Sequence, residues 1–270
     1  MKTFSVGRLY GPPRSGAGFE PVDKDRCGPK NLPPMNDSEF TDRVAIVTGA
    51  SSGIGRRTVE RLAAAGAFVA AFARDSEALR SLGLSNPAHI ETAAGDVAEE
   101  SDVARLFEQT ESRFGDCDLL VNCAGSIVPK LLFEMTAAEW DRHFDVNVRG
   151  IFLTSRRAVP AMIARRSGSI VNIASISGVE GPQKFPGFSA YCASKAAVIS
   201  LTEVLAVELK DYGIRVNCIS PGSVDTPMLR RANESLTPDM TPDEIVNTIL
   251  FVASAASRPI NGQNIHVYSA

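Results

Sequence analysis

Long apolar runs are missing from this sequence. No uninterrupted stretch approaches the roughly 18 residues that a bilayer span requires, and no apolar core follows Lys2. Neither a membrane partner nor export is therefore expected. A basic excess is also missing: the 270 residues carry 28 Lys and Arg against 31 Asp and Glu, a net charge of −3. Nucleic-acid binders usually cluster positive charge, so no nucleic-acid partner is expected. Cysteine is scarce. The five residues, at 27, 117, 123, 192 and 218, are odd in number and form no C-x-x-C pair. That argues against a disulfide framework or a zinc site and points to a reducing, cytoplasmic compartment. What is present is globular material, 44% hydrophobic and 22% charged, which excludes a mainly disordered chain.

Residues 1 to 41 stand apart. Gly11, Pro12, Pro13, Gly16, Gly18, Pro21, Gly28, Pro29, Pro33 and Pro34 interrupt any helical or strand period. Mixed charges there (Arg8, Arg14 and Arg26 against Glu20, Asp23 and Asp25) argue against a mitochondrial presequence. We expect an arm that either drapes over its own surface or packs on a neighbouring subunit. A single domain is expected over 42 to 270. From Val44 onward short apolar runs alternate with amphipathic segments, which predicts an α/β fold with a parallel sheet covered by helices on both faces. Seven runs read as strands: Val44 to Val47, Phe68 to Phe72, His89 to Thr92, Leu119 to Val121, Ile170 to Ile173, Arg215 to Ile219 and Ile265 to Val267. Thr136 and Glu139 form a capping-box pattern, with Trp140, Phe144 and Val148 following on one helical face and Asn147 near the middle of that helix. Thr241 and Glu244 repeat the pattern around Pro242, which suits the first helical position.

The first strand runs into Thr48-Gly49-Ala50-Ser51-Ser52-Gly53-Ile54-Gly55 and then a helix-forming segment, Arg56 to Ala65. Glycines let a backbone approach a phosphate closely, and a helix N-terminus offers free N–H groups and partial positive charge. This is a candidate pyrophosphate cradle, although Thr58 stands where a G-x-G-x-x-G pattern has its last glycine. Further on, Tyr191 and Lys195 are four residues apart and share one face if helical. A phenol titrates near pH 10, and an adjacent ammonium favours its phenolate, which pulls the pKa toward neutrality. The pair is therefore a candidate proton donor and acceptor.

On the glycine loop, of the form T-G-x-x-x-G-x-G, and on these later motifs, the sequence resembles the short-chain dehydrogenases/reductases, among them 3-oxoacyl-acyl-carrier-protein reductases and related carbonyl reductases. The resemblance runs from Asp42 to about Val267 and implies a Rossmann-like, doubly wound fold. It implies a dinucleotide held by Gly49, Ser51, Ser52, Gly53, Ile54 and Gly55, by Asp96 and Val97 beside the adenine, and by Asn122, Ala124 and Gly125 after the fourth strand. Cys123 departs from the family's N-N-A-G and reads as a packed thiol. Pro221, Gly222, Val224 and Thr226 would close over the nicotinamide. Ala73 stands where NAD-preferring relatives usually carry aspartate, and Arg74 follows it, which favours NADP(H) over NAD(H). Asp75 either pairs with Arg74 or caps the next helix. The implied catalytic set is Asn147, Ser175, Tyr191 and Lys195, with Ser177 competing for the serine's place. Tyr191 and Lys195 would also touch the cofactor, and no metal is required.

Substrate choice is expected to come from the loops Ile127 to Leu132, Val179 to Ala190 and Pro227 to Met240, which are largely apolar, with Lys184 and Arg230 as possible anion anchors. The last of these looks shorter than in relatives, which suits a bulky or carrier-bound substrate. The resulting expectation is an NADPH-dependent reductase of a largely apolar ketone, acting on a small-molecule or carrier-bound carbonyl compound. A redox-neutral epimerase or dehydratase and a non-catalytic NADP-binding regulator are the alternatives. Relatives commonly pair through the helices that carry Asn147 and Tyr191, so a homodimer or homotetramer is expected.

Overall fold

The computed structural model describes residues 37–268, with 183, 234 and 235 excepted. The expected arm therefore lies, up to residue 36, outside the described residues. Asp37–Phe40 form a 3-10 turn and the Phe40 side chain is buried. The Asp42 N–H donates to Gly66 O at 3.1 Å.

Seven strands form one parallel sheet: β1 (Val44–Thr48), β2 (Phe68–Ala73), β3 (Ile90–Ala94), β4 (Leu119–Asn122), β5 (Gly168–Ile173), β6 (Ile214–Pro221) and β7 (Asn264–Val267). Their order across the sheet is β3-β2-β1-β4-β5-β6-β7. Every expected strand is found, with ends shifted by one or two residues. The shifts follow from pairing rather than composition: Gly168 extends β5 because Ile214 lies beside it, and Pro221 extends β6 beside Val267. Parallel neighbours need long crossovers, and helices supply them here.

The helices are α1 (Gly53–Ala64), α2 (Ser76–Ser85), α3 (Glu100–Arg113), α4 (Ala137–Phe144), α5 (Gly150–Arg165), α6 (Ser189–Leu209), α7 (Pro227–Ala232) and α8 (Pro242–Ala253). Both expected capping boxes are formed: the Glu139 carboxylate accepts from Thr136 N at 2.8 Å, and that of Glu244 from Thr241 N at 2.7 Å. Asn147 lies near the middle of the continuous helical run from α4 to α5, in a π-helical turn, Asp145–Arg149, that joins the two. Trp140 and Phe144 stack at 5.2 Å as i, i+4 neighbours, and Val148 packs against a buried cluster of Ile151, Ala174, Val198 and Cys218. His143, Val146, Asn147 and Gly150 are buried.

The strand register explains the core. Ile46, Leu120, Ile170 and Val216 pair in sequence across β1, β4, β5 and β6, and all four are fully buried. Each contributes on the order of 1.5–3 kcal/mol by leaving water. Two residues further along, on the same face, the row becomes Thr48, Asn122, Asn172 and Cys218. The sheet thus turns from apolar to polar at the C-terminal ends of its strands. Ligands of such sheets bind at those ends, where the strand order reverses, here between β1 and β4.

Candidate active site

A cavity of about 620 Å³ opens over those strand ends. Its floor is the glycine loop. Gly49 has φ +69°, and a Cβ there would lie 2.8 Å from the Ala124 backbone; a Cβ at Gly55 would lie 2.3 Å from Gly49 O. Only glycine permits this tight fold of loop against helix and strand. The Ser52 side chain makes no capping hydrogen bond and the first turn of α1 holds no acid. The first N–H groups of α1 therefore keep their donor capacity for an anion, and the cradle suits a pyrophosphate.

At the β5–α6 side the wall carries Ser175, Tyr191 and Lys195. Tyr191 and Lys195 lie one turn apart on α6, with Nζ 5.9 Å from the centre of the phenol ring. Nζ donates to Ile173 O at 2.7 Å, which aims the lysine along the end of β5. Ser175 Oγ accepts the Ser177 N–H at 3.1 Å, so its own O–H is left to donate. Ser177 also lines the cavity. Burial pushes the Tyr191 phenol up to about 12, against a downward pull from the Ser175 hydroxyl. Burial pushes Lys195 down to about 8, opposed by Cys123 and Cys218. In the free protein burial, and not Lys195, sets the direction of the Tyr191 shift.

At the other end the wall includes Arg74, Asp75, Asp96 and Val97. Asp75 caps α2 by accepting from Ala78 N at 3.0 Å, and Arg74 has no ion pair among the described residues. Burial acts to raise the Asp96 pKa, but the Ala98 N–H and the Arg142 guanidinium, 2.6 Å away, outweigh it and leave it lowered. Val224 and Thr226 stand over the loop. The Thr226 hydroxyl caps α7, accepting from Leu229 N at 3.3 Å. Ser51, Ser52, Gly53, Ile54, Ala124, Gly125, Pro221 and Gly222 also reach the wall.

Two expected site residues do not line the cavity. Asn122 is buried in the sheet, where its Nδ2 donates to Asn172 Oδ1 at 2.9 Å and its Oδ1 accepts from Thr154 at 2.8 Å. Asn172 in turn donates to Thr202 Oγ1 at 2.9 Å, so one polar chain ties α5, β4, β5 and α6 together. Asn147, also fully buried, accepts from Ser126 N at 2.7 Å and donates to Ser126 O at 3.0 Å and to Ser194 Oγ at 2.9 Å. Ser194 passes the connection to Tyr191 O at 2.8 Å. Cys123 lines the wall, and burial pushes its thiol up to about 12, as suits a packed group. Residues without a role in the sequence reading are Asn172, Ser194 and Thr202, and Thr48 reads there only as the start of the glycine loop. Thr48 Oγ1 accepts from both Cys123 N and Ala124 N at 3.1 Å, joining the ends of β1 and β4. The sequence signal for Asn172 is a polar residue near the end of an apolar run, while Ser194 and Thr202 are polar residues inside the apolar helix α6.

The strand order and a glycine cradle at the reversal point are those of a Rossmann-like dinucleotide-binding domain, here with Ser175, Tyr191 and Lys195 on the cavity wall. The chain belongs to the short chain dehydrogenase family of oxidoreductases, whose pattern matches residues 43–237. It is 38% identical over 223 residues to an uncharacterized oxidoreductase of Staphylococcus saprophyticus, covering 81% of this chain and 94% of that one. It is 36% identical over 240 residues to a 3-oxoacyl-[acyl-carrier-protein] reductase of Thermotoga maritima, covering 83% and 96%. Among solved structures, a 3-ketoacyl-(acyl-carrier-protein) reductase of Brucella melitensis complexed with NADH superposes with a TM-score of 0.79 at 29% identity, covering 84% of this chain and 97% of that one.

Proposed function

We propose that the protein is an NADP(H)-dependent reductase that converts a largely apolar ketone to a secondary alcohol, reversibly. The observation that carries this reading is the meeting of Ser175, Tyr191 and Lys195 on one cavity wall beside the glycine cradle. When bound, the nicotinamide would give or take the hydride at the carbonyl carbon. Gly49 to Gly55 and the first turn of α1 would hold its pyrophosphate, Lys195 its ribose, and Thr226 its carboxamide. The protonated Tyr191, with its pKa near 12, is the proton donor at neutral pH. The Ser175 hydroxyl donates to the carbonyl oxygen and holds it within reach of the phenol. Lys195, when charged, eases loss of the phenol proton by Coulomb attraction. Asn147 works from behind the wall, tethering Ser126 and, through Ser194, the backbone of Tyr191.

Arg74 supports NADP(H): it borders the cavity at the end of β2 and Asp75, being a helix cap, does not pair with it. Ile127, Phe185, Phe188 and Leu229 on the wall support an apolar substrate, small or carrier-bound. Phe152, Val204 and Val207, on α5 and α6, are 48%, 51% and 66% exposed, which supports a homodimer or homotetramer built on these helices. The four cysteines among the described residues are free, in keeping with a cytoplasmic protein.

The test is oxidation of NADPH, followed at its nicotinamide absorbance with NADH in parallel, against apolar ketones, cyclic diketones and 3-oxoacyl thioesters. Turnover is expected with NADPH, and Tyr191→Phe is expected to abolish it while NADPH still binds. Full turnover by Tyr191→Phe would refute the assigned role. Product formed without absorbance change would point to redox-neutral chemistry.

A further inference from the structure

The charged residues on the cavity wall are Arg74, Asp75, Asp96, Lys195 and Arg231. Asp75 caps α2, Asp96 pairs with Arg142, and Lys195 holds Ile173 O. Arg74 belongs to the adenosine end. Arg231, in the last turn of α7, is exposed and has neither an ion pair nor a hydrogen bond from its side chain among the described residues. The two cations that the sequence marks as anion anchors are occupied. Arg230 donates to Asp225 Oδ1 through Nε at 3.0 Å and through its terminal nitrogen at 2.6 Å. Lys184 donates to Ser177 O at 2.8 Å and to Val179 O. The uncommitted charge is therefore one residue beyond the expected place.

Helical phase decides where that charge sits. Arg231 follows Met228 by three residues, so the two share one face of α7, with Cβ atoms about 5–6 Å apart. Met228 Cε lies 3.6 Å, and Lys195 Nζ 3.7 Å, from the point where a Cβ would stand on Gly125. Met228 thus marks the catalytic end of α7, and Arg231 stands one turn further out, with Leu229 and Leu236 also on the wall. The loop that carries them is pinned at its base: Val224 bridges Met240, and Asp225 N donates to Met240 O at 2.8 Å. This holds the start of α7 over the cavity.

We propose that Arg231 is a specificity-determining residue that binds the anionic end of the substrate, a carboxylate or phosphate separated from the ketone by an apolar body. The proposal rests on the reductase reading for the reacting end of the ligand, but not for its anion. A guanidinium recognises either anion through two parallel charge-assisted hydrogen bonds. Among the described residues no carboxylate pairs with Arg231, and its wall neighbours Met228, Leu229 and Leu236 are apolar.

The experiment compares a medium-chain oxo-carboxylic acid with its methyl ester, by calorimetric binding to the NADP⁺-loaded protein, in wild type, Arg231→Gln and Arg231→Lys. The acid is expected to bind at least about tenfold more tightly than the ester, the scale of one charged hydrogen-bonded pair. Arg231→Gln is expected to bring the acid down to the ester, leaving ester and NADP⁺ binding unchanged, while Arg231→Lys keeps part of the difference. Equal affinity for acid and ester in the wild type would overturn the proposal, as would failure of both to bind. So would an Arg231→Gln variant that weakens NADP⁺ as well as both ligands, since the guanidinium would then serve the cofactor phosphates. Binding is read without turnover, so an acid held through Arg231 yet never reduced would count against the reductase reading alone.

Discussion

Replacing Lys195 with methionine is expected to stabilise the fold while removing activity. Burial brings the Lys195 pKa from 10.5 down to about 8. A difference of about 2.5 units corresponds to roughly 3 kcal/mol, the cost of keeping the ammonium charged in the folded state. Lys195→Met removes that cost but also the hydrogen bond from Nζ to Ile173 O, worth about 1–2 kcal/mol. The net gain is roughly 1–2 kcal/mol at pH 7. The pH dependence follows from the depressed lysine pKa. Below about pH 8 folded and unfolded chains both hold the proton, so the full cost is present. Between about 8 and 10.5 the unfolded chain holds more protons than the folded one, so wild-type stability rises with pH relative to the variant. Urea unfolding at fixed protein concentration, at several pH values from 7 to about 9.5, measures both. The variant's advantage is expected to be largest at pH 7 and to shrink upward. A variant less stable than wild type at pH 7, or a gap that ignores pH, would refute the reasoning.

Three further outcomes are expected. Gly55→Ala places a Cβ 2.3 Å from a backbone oxygen, Gly49 O, so the cradle must shift; NADPH affinity is expected to fall at least about tenfold in a fluorescence titration. Asn172→Ala leaves the buried Asn122 amide without its acceptor and Thr202 without its donor, at a cost of about 2–4 kcal/mol by urea unfolding. A loss under about 1 kcal/mol would show that the chain across the sheet is not cooperative. Arg74→Ala is expected to weaken NADPH about tenfold or more and NADH by less than about twofold, and equal effects would remove Arg74 from cofactor selection.

The stabilising expectation for Lys195→Met has a functional counterpart. Tyr191 is pushed up and Lys195 down by one cause, their removal from water. Both shifts disfavour the charged form of each group, so at pH 7 the free site holds a protonated phenol beside a lysine that is still mostly charged. A protonated phenol is the form that the proposed reduction would draw on.

Much of the site was legible because its signals are local. The glycines of the cradle serve a turn confined to eight residues, and Tyr191 and Lys195 meet because helical spacing makes neighbours of i and i+4. The seven strands were legible as apolar runs, since a strand covered on both faces has no polar side. Strand ends were less so, because Gly168 and Pro221 join the sheet only through Ile214 and Val267. Asn122 and Asn147 carry the expected residue types at the expected places, yet their side chains turn away from the cavity toward Asn172, Ser126 and Ser194. Sequence spacing does not reveal that turn.

The sequence by itself determined which elements form and which chemical groups they bring: the parallel strands, the glycine loop, the Ser175, Tyr191 and Lys195 set. Only the tertiary structure decided the register that lines up Thr48, Asn122, Asn172 and Cys218, the upward shift of Tyr191, and which cavity arginine has no carboxylate partner among the described residues. Each of these depends on groups far apart in the chain. Register joins residues 46 to 74 positions apart, burial sums over β5, α6 and the loops around them, and an arginine is paired or not according to whether a carboxylate lies beside it. Arg230 has Asp225; Arg231, one residue on, turns to the cavity.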